Sequence, residues 1–155
     1  MVKIMFVCHG NICRSPMAEF IFKDIIKKNG RESDFSVFSS ATSTEEIYRG
    51  VGNPVYPPAR RELEIHGISC AGKRAVLLTR TDAEKYDLFV GMDSANIRNM
   101  HAILGDSASD RIYKLLSFAG RSDDVSDPWY SDRFDIAYRD IYEGCVALYN
   151  KLVSE

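Results

Sequence analysis

The chain opens with a buried-strand pattern that is followed at once by a helix pattern. Residues 2–7 are mainly apolar and β-branched, which is typical of a strand covered on both faces. Ser15 and Pro16 suit the N-cap and the first helical position. Apolar residues then recur at helical spacing until Asn29 and Gly30, which predict the end of the helix. This unit restricts the chain to folds in which helices pack on a sheet.

The rest of the chain repeats the alternation of strands and helices. Further strands are predicted at 35–38, 87–91 and 112–116, and further helices at 58–66, 94–104 and 134–152. Residues 43–58 are rich in glycine and proline and predict a long loop. Alternating strands and helices imply right-handed crossovers and a mostly parallel sheet. We therefore expect one α/β domain over residues 1–155, with four parallel strands and helices on both faces of the sheet.

Charge and hydropathy exclude several classes of function. The 20 basic and 22 acidic residues give a net charge of −2, which leaves no basic excess for general nucleic-acid binding. The longest apolar runs, such as residues 4–8, are far shorter than the roughly 18 residues that span a bilayer. No signal-like apolar block follows Lys3. We expect a cytoplasmic protein with neither a nucleic-acid nor a membrane partner.

The cysteines and histidines match no metal-binding pattern. The four cysteines are Cys8, Cys13, Cys70 and Cys145. They form no C-x-x-C motif, and no histidine lies at ligand spacing from a pair of them. A chain of this length and apolar content does not need disulfides to be stable. The sequence predicts no metal site and no cofactor.

The loop after the first strand carries the candidate chemistry. Ligands of open α/β sheets bind beyond the carboxyl ends of the strands, and a loop that enters a helix directs several backbone N–H groups into one concavity. Gly10 allows close approach of the backbone, and Asn11 tolerates the left-handed conformation that such a loop needs. Arg14 adds a planar guanidinium that suits phosphate oxygens. We predict an oxyanion site here, with substrate-binding residues His9, Gly10, Asn11, Ile12, Cys13 and Ser15.

Cys8 lies at the base of this loop and is the candidate nucleophile. The positive potential of the loop favours the thiolate, which is the reactive form of cysteine. Five residues separate Cys8 from Arg14, so both side chains can face one bound tetraoxyanion. The alternative is that Cys8 is only the apolar end of a buried strand. The glycine, asparagine and Arg-Ser-Pro that follow it favour the catalytic interpretation.

Asp127 is the candidate proton donor. A cysteinyl-phosphate intermediate needs an acid for the leaving group and a base for the attacking water, and one carboxyl group can serve both steps. Pro128 stiffens this segment, and Trp129 and Tyr130 can flank an aromatic ring. An Asp-Pro pair is also an ordinary turn or helix start. Asp127 becomes a candidate because a nucleophile at Cys8 requires an acid.

The segment from Cys8 to Pro16, joined to the late segment from Asp127 to Tyr130, resembles the low-molecular-weight protein tyrosine phosphatases. The resemblance covers essentially the whole chain. It implies a four-stranded parallel sheet with helices on both sides, with Cys8 as nucleophile, Arg14 as phosphate clamp and Asp127 as general acid and then base. The implied substrates are tyrosine-phosphorylated proteins and small aryl phosphates, hydrolysed without a metal and with release of inorganic phosphate.

The resemblance also implies the support of the loop. Ser15 would hydrogen-bond the sulfur of Cys8 and ease its departure, and Asn11 and Ser40 would brace the loop. Where members of the family often have a histidine, this chain has Lys73 nearby. The loop from 44 to 52 carries extra residues, including Tyr48. No role is carried over from the family to Lys73 or Tyr48.

Three other functions are compatible with parts of this pattern. A thioredoxin-coupled arsenate reductase uses a similar anion loop but needs two further cysteines close together, and the chain offers only Cys70 and Cys145. Protein-arginine phosphatases are relatives with a threonine where this chain has Ile12. A phosphocarrier of a sugar transport system also has a cysteine after its first strand, but it would need neither Arg14 nor Asp127.

Specificity and redox control are predicted from residues close to the loop. Trp129, Tyr130 and Ile12 offer apolar surface to a phenyl ring, which favours phosphotyrosine over phosphoserine and phosphoarginine. Trp129 can alternatively anchor its loop to the body of the protein.

Cys13 can capture oxidised Cys8 as a disulfide and so prevent over-oxidation. The alternative is that Cys13 only packs beneath the loop.

Overall fold

A four-stranded parallel sheet lies at the centre of the computed structural model, which describes residues 1–155. In chain order the strands are β1 (Val2–Cys8), β2 (Phe35–Ala41), β3 (Ile47–Tyr48), β4 (Val51–Gly52), β5 (Leu88–Gly91) and β6 (Ile112–Lys114). The sheet has the order β2-β1-β5-β6, and every neighbouring pair is parallel. The four predicted strands are these four. Strand β1 lies between β2 and β5, so the loop after its carboxyl end has a neighbouring strand on each side.

Helices cover both faces of the sheet, as the sequence predicts. They are α1 (Arg14–Lys28), α2 (Pro57–Ile65), α3 (Ser94–Leu104), α4 (Pro128–Ser131) and α5 (Phe134–Ser154). Buried residues of α1, α2 and α5 share one apolar cluster with one face of β1, whereas α3 packs on the opposite face. None of the helices combines the length and the apolar content that crossing a bilayer requires.

The alternation of side chains along β1 builds both halves of the core. Ile4 and Phe6 point into the α1 and α5 side, and Met5 and Val7 point into the α3 side. All four are buried, which explains why this strand is apolar without alternation. Each such side chain contributes about 1.5–3 kcal/mol by leaving water. This packing fixes β1, and with it the position of the loop that follows.

Several predicted boundaries differ from the structure. The second strand, β2, was predicted to end at 38 but continues to Ala41. Packing explains two of the other differences. Ser15 was predicted to be the N-cap of α1, but the helix begins at Arg14 and its N-cap is Cys13. The hydroxyl of Ser15 cannot cap the helix because it contacts the sulfur of Cys8. Strand β6 was predicted to end at 116, but it ends at Lys114, and a 3₁₀ turn begins at Leu115. That turn buries Leu115 and Leu116 in the same core cluster, which a strand cannot do because its successive side chains point to opposite faces.

The predicted loop at 43–58 contains a small hairpin. Strands β3 and β4 pair antiparallel, and the two residues between them, Arg49 and Gly50, both have positive φ. This is the backbone geometry of a two-residue type I′ turn. A Cβ on Gly52 would lie 1.9 Å from the carbonyl oxygen of Ala75, so only glycine allows this approach. The contact holds the hairpin against the segment around Ala75.

Candidate active site

The sulfur of Cys8 is surrounded by hydrogen-bonding groups of the loop between β1 and α1. The backbone N–H groups of Asn11 and Ser15 donate to Sγ at 3.3 and 3.4 Å. The hydroxyl oxygen of Ser15 lies 2.9 Å from the same sulfur. Cys8 is 4% exposed, at the floor of a cleft. Several donors around one sulfur at the start of a helix stabilise a thiolate.

Asn11 holds the loop in shape from beneath. Its backbone is left-handed, with φ of 58°. Its side-chain amide donates to the hydroxyls of Ser15, at 2.8 Å, and Ser39, at 2.9 Å. Its side-chain carbonyl accepts from the N–H of Val76 at 3.0 Å. The loop is thus tied to its own helix, to β2 and to a segment distant in the chain.

The expectation that Ser40 braces the loop is wrong, because the bracing serine is Ser39. The hydroxyl of Ser39 accepts from Asn11, whereas the buried hydroxyl of Ser40 has no hydrogen-bond partner. In the parallel register, Ser39 lies beside Phe6 and Ser40 beside Val7. Their side chains therefore point to opposite faces of the sheet, and only the face of Ser39 carries the loop.

A buried carboxylate completes the support. Ser39 donates to Glu19 Oε1 at 2.5 Å, and the ammonium groups of Lys73 and Lys23 lie 3.4 and 2.6 Å from the same carboxylate. Lys73 also donates to the carbonyl of Ser39 at 2.9 Å. Burial lowers the pKa of Lys73, and Glu19 opposes that effect. Lys73 therefore supports the loop through Ser39. Glu19 was not predicted from the sequence, where the only signal was an acidic residue within the buried run of α1.

Arg14 is fixed by three acceptors. One guanidinium nitrogen donates to the carbonyl of Val125 at 2.9 Å, and the other lies 2.9 Å from Asp93 Oδ2 and 3.6 Å from Asp127 Oδ2. Burial lowers the pKa of Arg14, but Cys8, Asp93 and Asp127 outweigh it and raise the pKa above its ordinary value. The guanidinium is therefore always charged and held in one orientation.

Asp93 has a second role that was not predicted from the sequence. It caps α3 as predicted, accepting from the N–H of Asn96 at 2.7 Å through Oδ1. Its other oxygen binds Arg14. The carboxylate of Asp93 thus links the start of α3 to the guanidinium of Arg14. A capping motif accounts for Asp93 locally, so nothing in the sequence marked the second contact.

Asp127 lies at the N-cap of α4, with one carboxylate oxygen toward Arg14. Its other oxygen accepts from the N–H of Trp129 at 3.0 Å. Trp129 packs against the ring of Tyr56, with centroids 4.9 Å apart, yet remains 58% exposed. Trp129 was predicted either to anchor its loop or to offer a surface to an aromatic ring. It does the first through Tyr56, and its exposed face is available in the cleft for the second. Tyr130 is 87% exposed.

These groups surround a cleft of about 270 Å³. It is lined by Cys8, His9, Gly10, Ile12, Cys13, Arg14, Glu45, Glu46, Asp127, Trp129 and Tyr130. Asn11 and Ser15 were predicted both to bind substrate and to support the loop. Their buried side chains lie under the loop, as the supporting role requires. Glu45 and Glu46 were not predicted to lie here. Tyr48 is 73% exposed on the hairpin and does not line the cleft.

All four cysteines are free and buried. Burial, followed by the charges of Cys8 and Asp127, raises the pKa of Cys13 to about 12. Cys145 donates to the carbonyl of Ala18 at 3.7 Å inside the core. Cys70 is also a member of the core cluster and does not line the cleft. Only Cys13 shares the cleft with Cys8.

Comparison with known proteins identifies the family. A family model described as low molecular weight phosphotyrosine protein phosphatase matches residues 3–155. The chain belongs to the low molecular weight phosphotyrosine protein phosphatase family. The low molecular weight protein-tyrosine-phosphatase YfkJ of Bacillus subtilis is 34% identical over 157 residues, which cover 100% of this chain and 98% of that protein. The crystal structure of YfkJ matches with a TM-score of 0.92 at 33% identity, over 99% of this chain and 96% of that one.

Other solved members of the phosphatase fold are also similar. A low molecular weight protein tyrosine phosphatase from Streptococcus pyogenes matches at 34% identity with a TM-score of 0.85, covering 98% of this chain and 93% of that one. A Drosophila arginine phosphatase matches at 28% identity with a TM-score of 0.85, covering 97% and 98%. Family membership confirms the predicted fold class and the resemblance. The Drosophila protein indicates that the fold alone does not decide the phosphorylated residue.

Proposed function

We propose that the protein hydrolyses phosphotyrosine in proteins, and small aryl phosphates, through a cysteinyl-phosphate intermediate on Cys8. One observation carries the proposal: Arg14 and Asp127, 3.6 Å apart, line the same cleft as the hydrogen-bonded sulfur. A nucleophile, a fixed cation and a carboxyl group around one cavity are what transfer of a phosphoryl group to sulfur requires.

In the first step, the thiolate of Cys8 attacks phosphorus and the bond to the ester oxygen breaks. The backbone N–H groups of the loop and the guanidinium of Arg14 stabilise the equatorial oxygens as charge develops. Protonated Asp127 donates its proton to the departing phenoxide, which leaves as the phenol. The enzyme then carries phosphate on Cys8 and a carboxylate at Asp127.

In the second step, water attacks the phosphorus. The carboxylate of Asp127 accepts a proton from that water, the bond between phosphorus and sulfur breaks, and inorganic phosphate leaves. The departing sulfur takes up negative charge, and the groups of Ser15 beside it stabilise that charge. Because the loop and Arg14 supply the positive charge, we expect the cycle to run without a metal or another cofactor, as one domain over residues 1–155.

We place this activity in the cytoplasm. Four free cysteines, including a nucleophile, suit a reducing compartment. The substrates would be tyrosine-phosphorylated proteins of that compartment, with inorganic phosphate as the product.

The rival functions have less support from the site. Cys70 and Cys145 belong to the core, which disfavours a relay of disulfides as in an arsenate reductase. A phosphocarrier does not need the assembly of Arg14 and Asp127. A protein-arginine phosphatase remains the alternative to be tested, because a member of the fold carries that name. Ile12 lines the cleft with an apolar side chain and no hydroxyl, which favours an aryl group over a guanidino group.

Two measurements test the proposal. Wild type should release phosphate from p-nitrophenyl phosphate in the presence of a chelator, and Cys8→Ser should not. On matched peptides, kcat/KM should rank phosphotyrosine above phosphoarginine and phosphoserine, and Ile12→Thr should narrow the margin over phosphoarginine. An active Cys8→Ser enzyme would refute the mechanism. A wild-type preference for phosphoarginine would refute the substrate while leaving the chemistry intact.

A further inference from the structure

Two glutamates line the cleft whose floor is built to hold an anion. Glu45 and Glu46 precede the hairpin of β3 and β4, and both are among the residues that line the cavity. Together with Asp127 they make three carboxylates around the cleft. The only cationic groups among the lining residues are the buried guanidinium of Arg14 and the imidazole of His9 when it is protonated.

Both glutamates are held in place by the loop and the hairpin. Glu45 Oε2 lies 3.0 Å from His9 Nε2. Glu46 Oε1 accepts from the side-chain amide of Asn53 at 3.3 Å, and its backbone carbonyl accepts from the N–H of Asn53 at 2.8 Å. A Cβ on Gly10 would lie 3.2 Å from Glu46 Cγ, so the side chain rests directly on the loop. Glu46 makes no ion pair.

These carboxylates work against the binding of phosphate alone. A carboxylate beside a phosphate dianion repels it, and Arg14 is already shared among the phosphate site, Asp93 and Asp127. Glu45 and Glu46 gain a favourable partner in this cleft if the phosphorylated substrate also carries a positively charged side chain. Charge complementarity of this kind sets which partner a surface accepts.

Two aromatic residues that line the same cleft also suit a cation. Trp129 and Tyr130 expose their rings at the mouth, on the side of Asp127. The face of an exposed aromatic ring attracts an ammonium or guanidinium group. The one cation on the hairpin, Arg49, lies over the ring of Tyr48, and neither residue lines the cleft. A cationic side chain of the substrate would therefore meet carboxylates and aromatic rings that line one cleft.

We propose that Glu45 and Glu46 are specificity-determining residues that select phosphotyrosine segments with arginine or lysine next to the phosphotyrosine. The proposal rests on the proposed function, since it concerns the same cleft. The phosphate and the phenyl ring occupy the cleft, and the flanking side chains reach the glutamates and the exposed rings that line it. Glu46 contributes most, because no cation of the protein pairs with it.

The test compares two phosphotyrosine peptides that differ only in having arginine or aspartate at the flanking positions. Since each exposed ion pair contributes modestly, we expect wild type to prefer the basic peptide by about tenfold in kcat/KM at low salt. The preference should shrink as salt screens the charges. Glu45→Gln/Glu46→Gln should reduce the ratio of the two kcat/KM values toward one, mainly through KM. Taking the ratio within each variant removes any general loss of activity.

A matched control removes two glutamates elsewhere. Glu32 and Glu84 are exposed and precede β2 and β5, at the sheet edge opposite the cleft. The variant Glu32→Gln/Glu84→Gln changes the net charge equally and should keep the wild-type ratio. Equal loss of the ratio in both double variants would mean that only overall charge matters, and the proposal would be wrong.

Other outcomes separate this proposal from the proposed function. If wild type does not hydrolyse p-nitrophenyl phosphate, the proposed function fails. If it does, but treats both peptides alike or prefers the acidic one, only the specificity proposal fails. Should the double variant not fold, Glu46→Gln alone and the salt dependence of the wild-type ratio decide the question. A preference that does not respond to salt would contradict a role for exposed carboxylates.

Discussion

At the scale of single residues, the site depends on the hydrogen bonds and ion pairs that surround three side chains. Cys8 lies among hydrogen-bonding groups, Arg14 is bound by acceptors on two sides, and Asp127 keeps one oxygen directed toward that guanidinium. The carboxyl group of Asp127 is 36% exposed, so both a leaving group and an attacking water molecule can reach it. This difference in burial suits the proposed roles, in which the nucleophile and the phosphate clamp stay fixed whereas the acid loses and regains a proton in each cycle.

The first prediction concerns Asp127→Asn. Without the acid, a phenoxide must leave unprotonated, so hydrolysis of phosphotyrosine should slow by about 10²–10⁴. The loss should be smaller for p-nitrophenyl phosphate, whose leaving group needs less protonation. The value of kcat/KM on both substrates measures this difference, because it reports formation of the cysteinyl phosphate and not its hydrolysis, which is the same step for both substrates. Asp132→Asn is the control, because Asp132 is exposed on the same loop and asparagine tolerates its positive φ. Equal losses on both substrates would contradict a role as general acid.

The second prediction concerns Cys13. Peroxide should convert the thiolate of Cys8 to a sulfenic acid, and the sulfur of Cys13 should displace water from it to form a disulfide. Because burial raises the pKa of Cys13 to about 12, little of it is thiolate at neutral pH, and capture should accelerate as the pH rises. Activity recovered after peroxide and then reductant measures the effect. If Cys13→Ala recovers as fully as wild type, Cys13 has no resolving role.

At the scale of elements, the geometry of the loop depends on β2 and α1 together. The polar chain from Asn11 through Ser39 to Glu19 links the loop, the strand and the helix, and Lys73 closes it from a fourth segment. In the proposed mechanism, a loop braced this way has the shape that binds phosphate before a substrate arrives. Such preorganisation lowers the cost of binding charge in the transition state.

The third prediction compares adjacent serines of β2. Ser39→Ala removes a hydroxyl that Asn11 and Glu19 both use, and it leaves the buried carboxylate of Glu19 with one partner fewer. We expect the free energy of unfolding to fall by about 1–3 kcal/mol and kcat to fall as well. Ser40→Ala removes a buried hydroxyl that has no partner, so stability and kcat should change little.

Urea denaturation and steady-state kinetics of the two variants provide the measurement. The two positions are matched in residue type, strand and burial. They differ in the face of the sheet that they occupy. A larger effect from Ser40→Ala would contradict the assignment of the brace to Ser39.

At the scale of the whole molecule, the buried thiols connect stability to pH. Burial raises the pKa of Cys145, Cys70 and Cys13 above the ordinary value of 9.0. In the unfolded chain these thiols ionise above pH 9, whereas in the folded protein they stay protonated. The folded state then binds more protons than the unfolded state, so its stability is complete below pH 9 and falls as the pH rises.

The fourth prediction follows from this difference. Above pH 9 the free energy of unfolding should fall by about 1.4 kcal/mol per pH unit for each thiol that stays protonated in the folded state. Cys145→Ala removes one of these groups and should flatten the decline, even if it lowers stability at neutral pH by leaving a small cavity. Urea denaturation between pH 8 and pH 10 measures both slopes. Parallel slopes for wild type and Cys145→Ala would contradict the assignment.

Much of the fold could be predicted because its signals are local. The apolar run of β1, the helical periodicity of α5 and the capping residue Asp93 each depend on neighbours in sequence. The residues that we propose as catalytic could be named from the sequence, since Cys8 and Arg14 lie in one short segment and Asp127 lies in an Asp-Pro pair that the proposed nucleophile made a candidate. Element ends were less predictable. The end of β6 depends on Leu115 and Leu116 packing beneath α5, which periodicity does not record.

The sequence by itself therefore determined the order of the four sheet strands and of the long helices, and it supplied both the loop that we propose to bind an anion and the late acid that we propose to act with it. Only the tertiary structure decided which side chains support and surround them. Ser39 rather than Ser40 braces the loop, and Glu19, Glu45 and Glu46 join it from separate segments. The physical reason is that such contacts depend on the register between strands and on which face each residue occupies. A shift of one residue reverses that face without changing the composition of the segment.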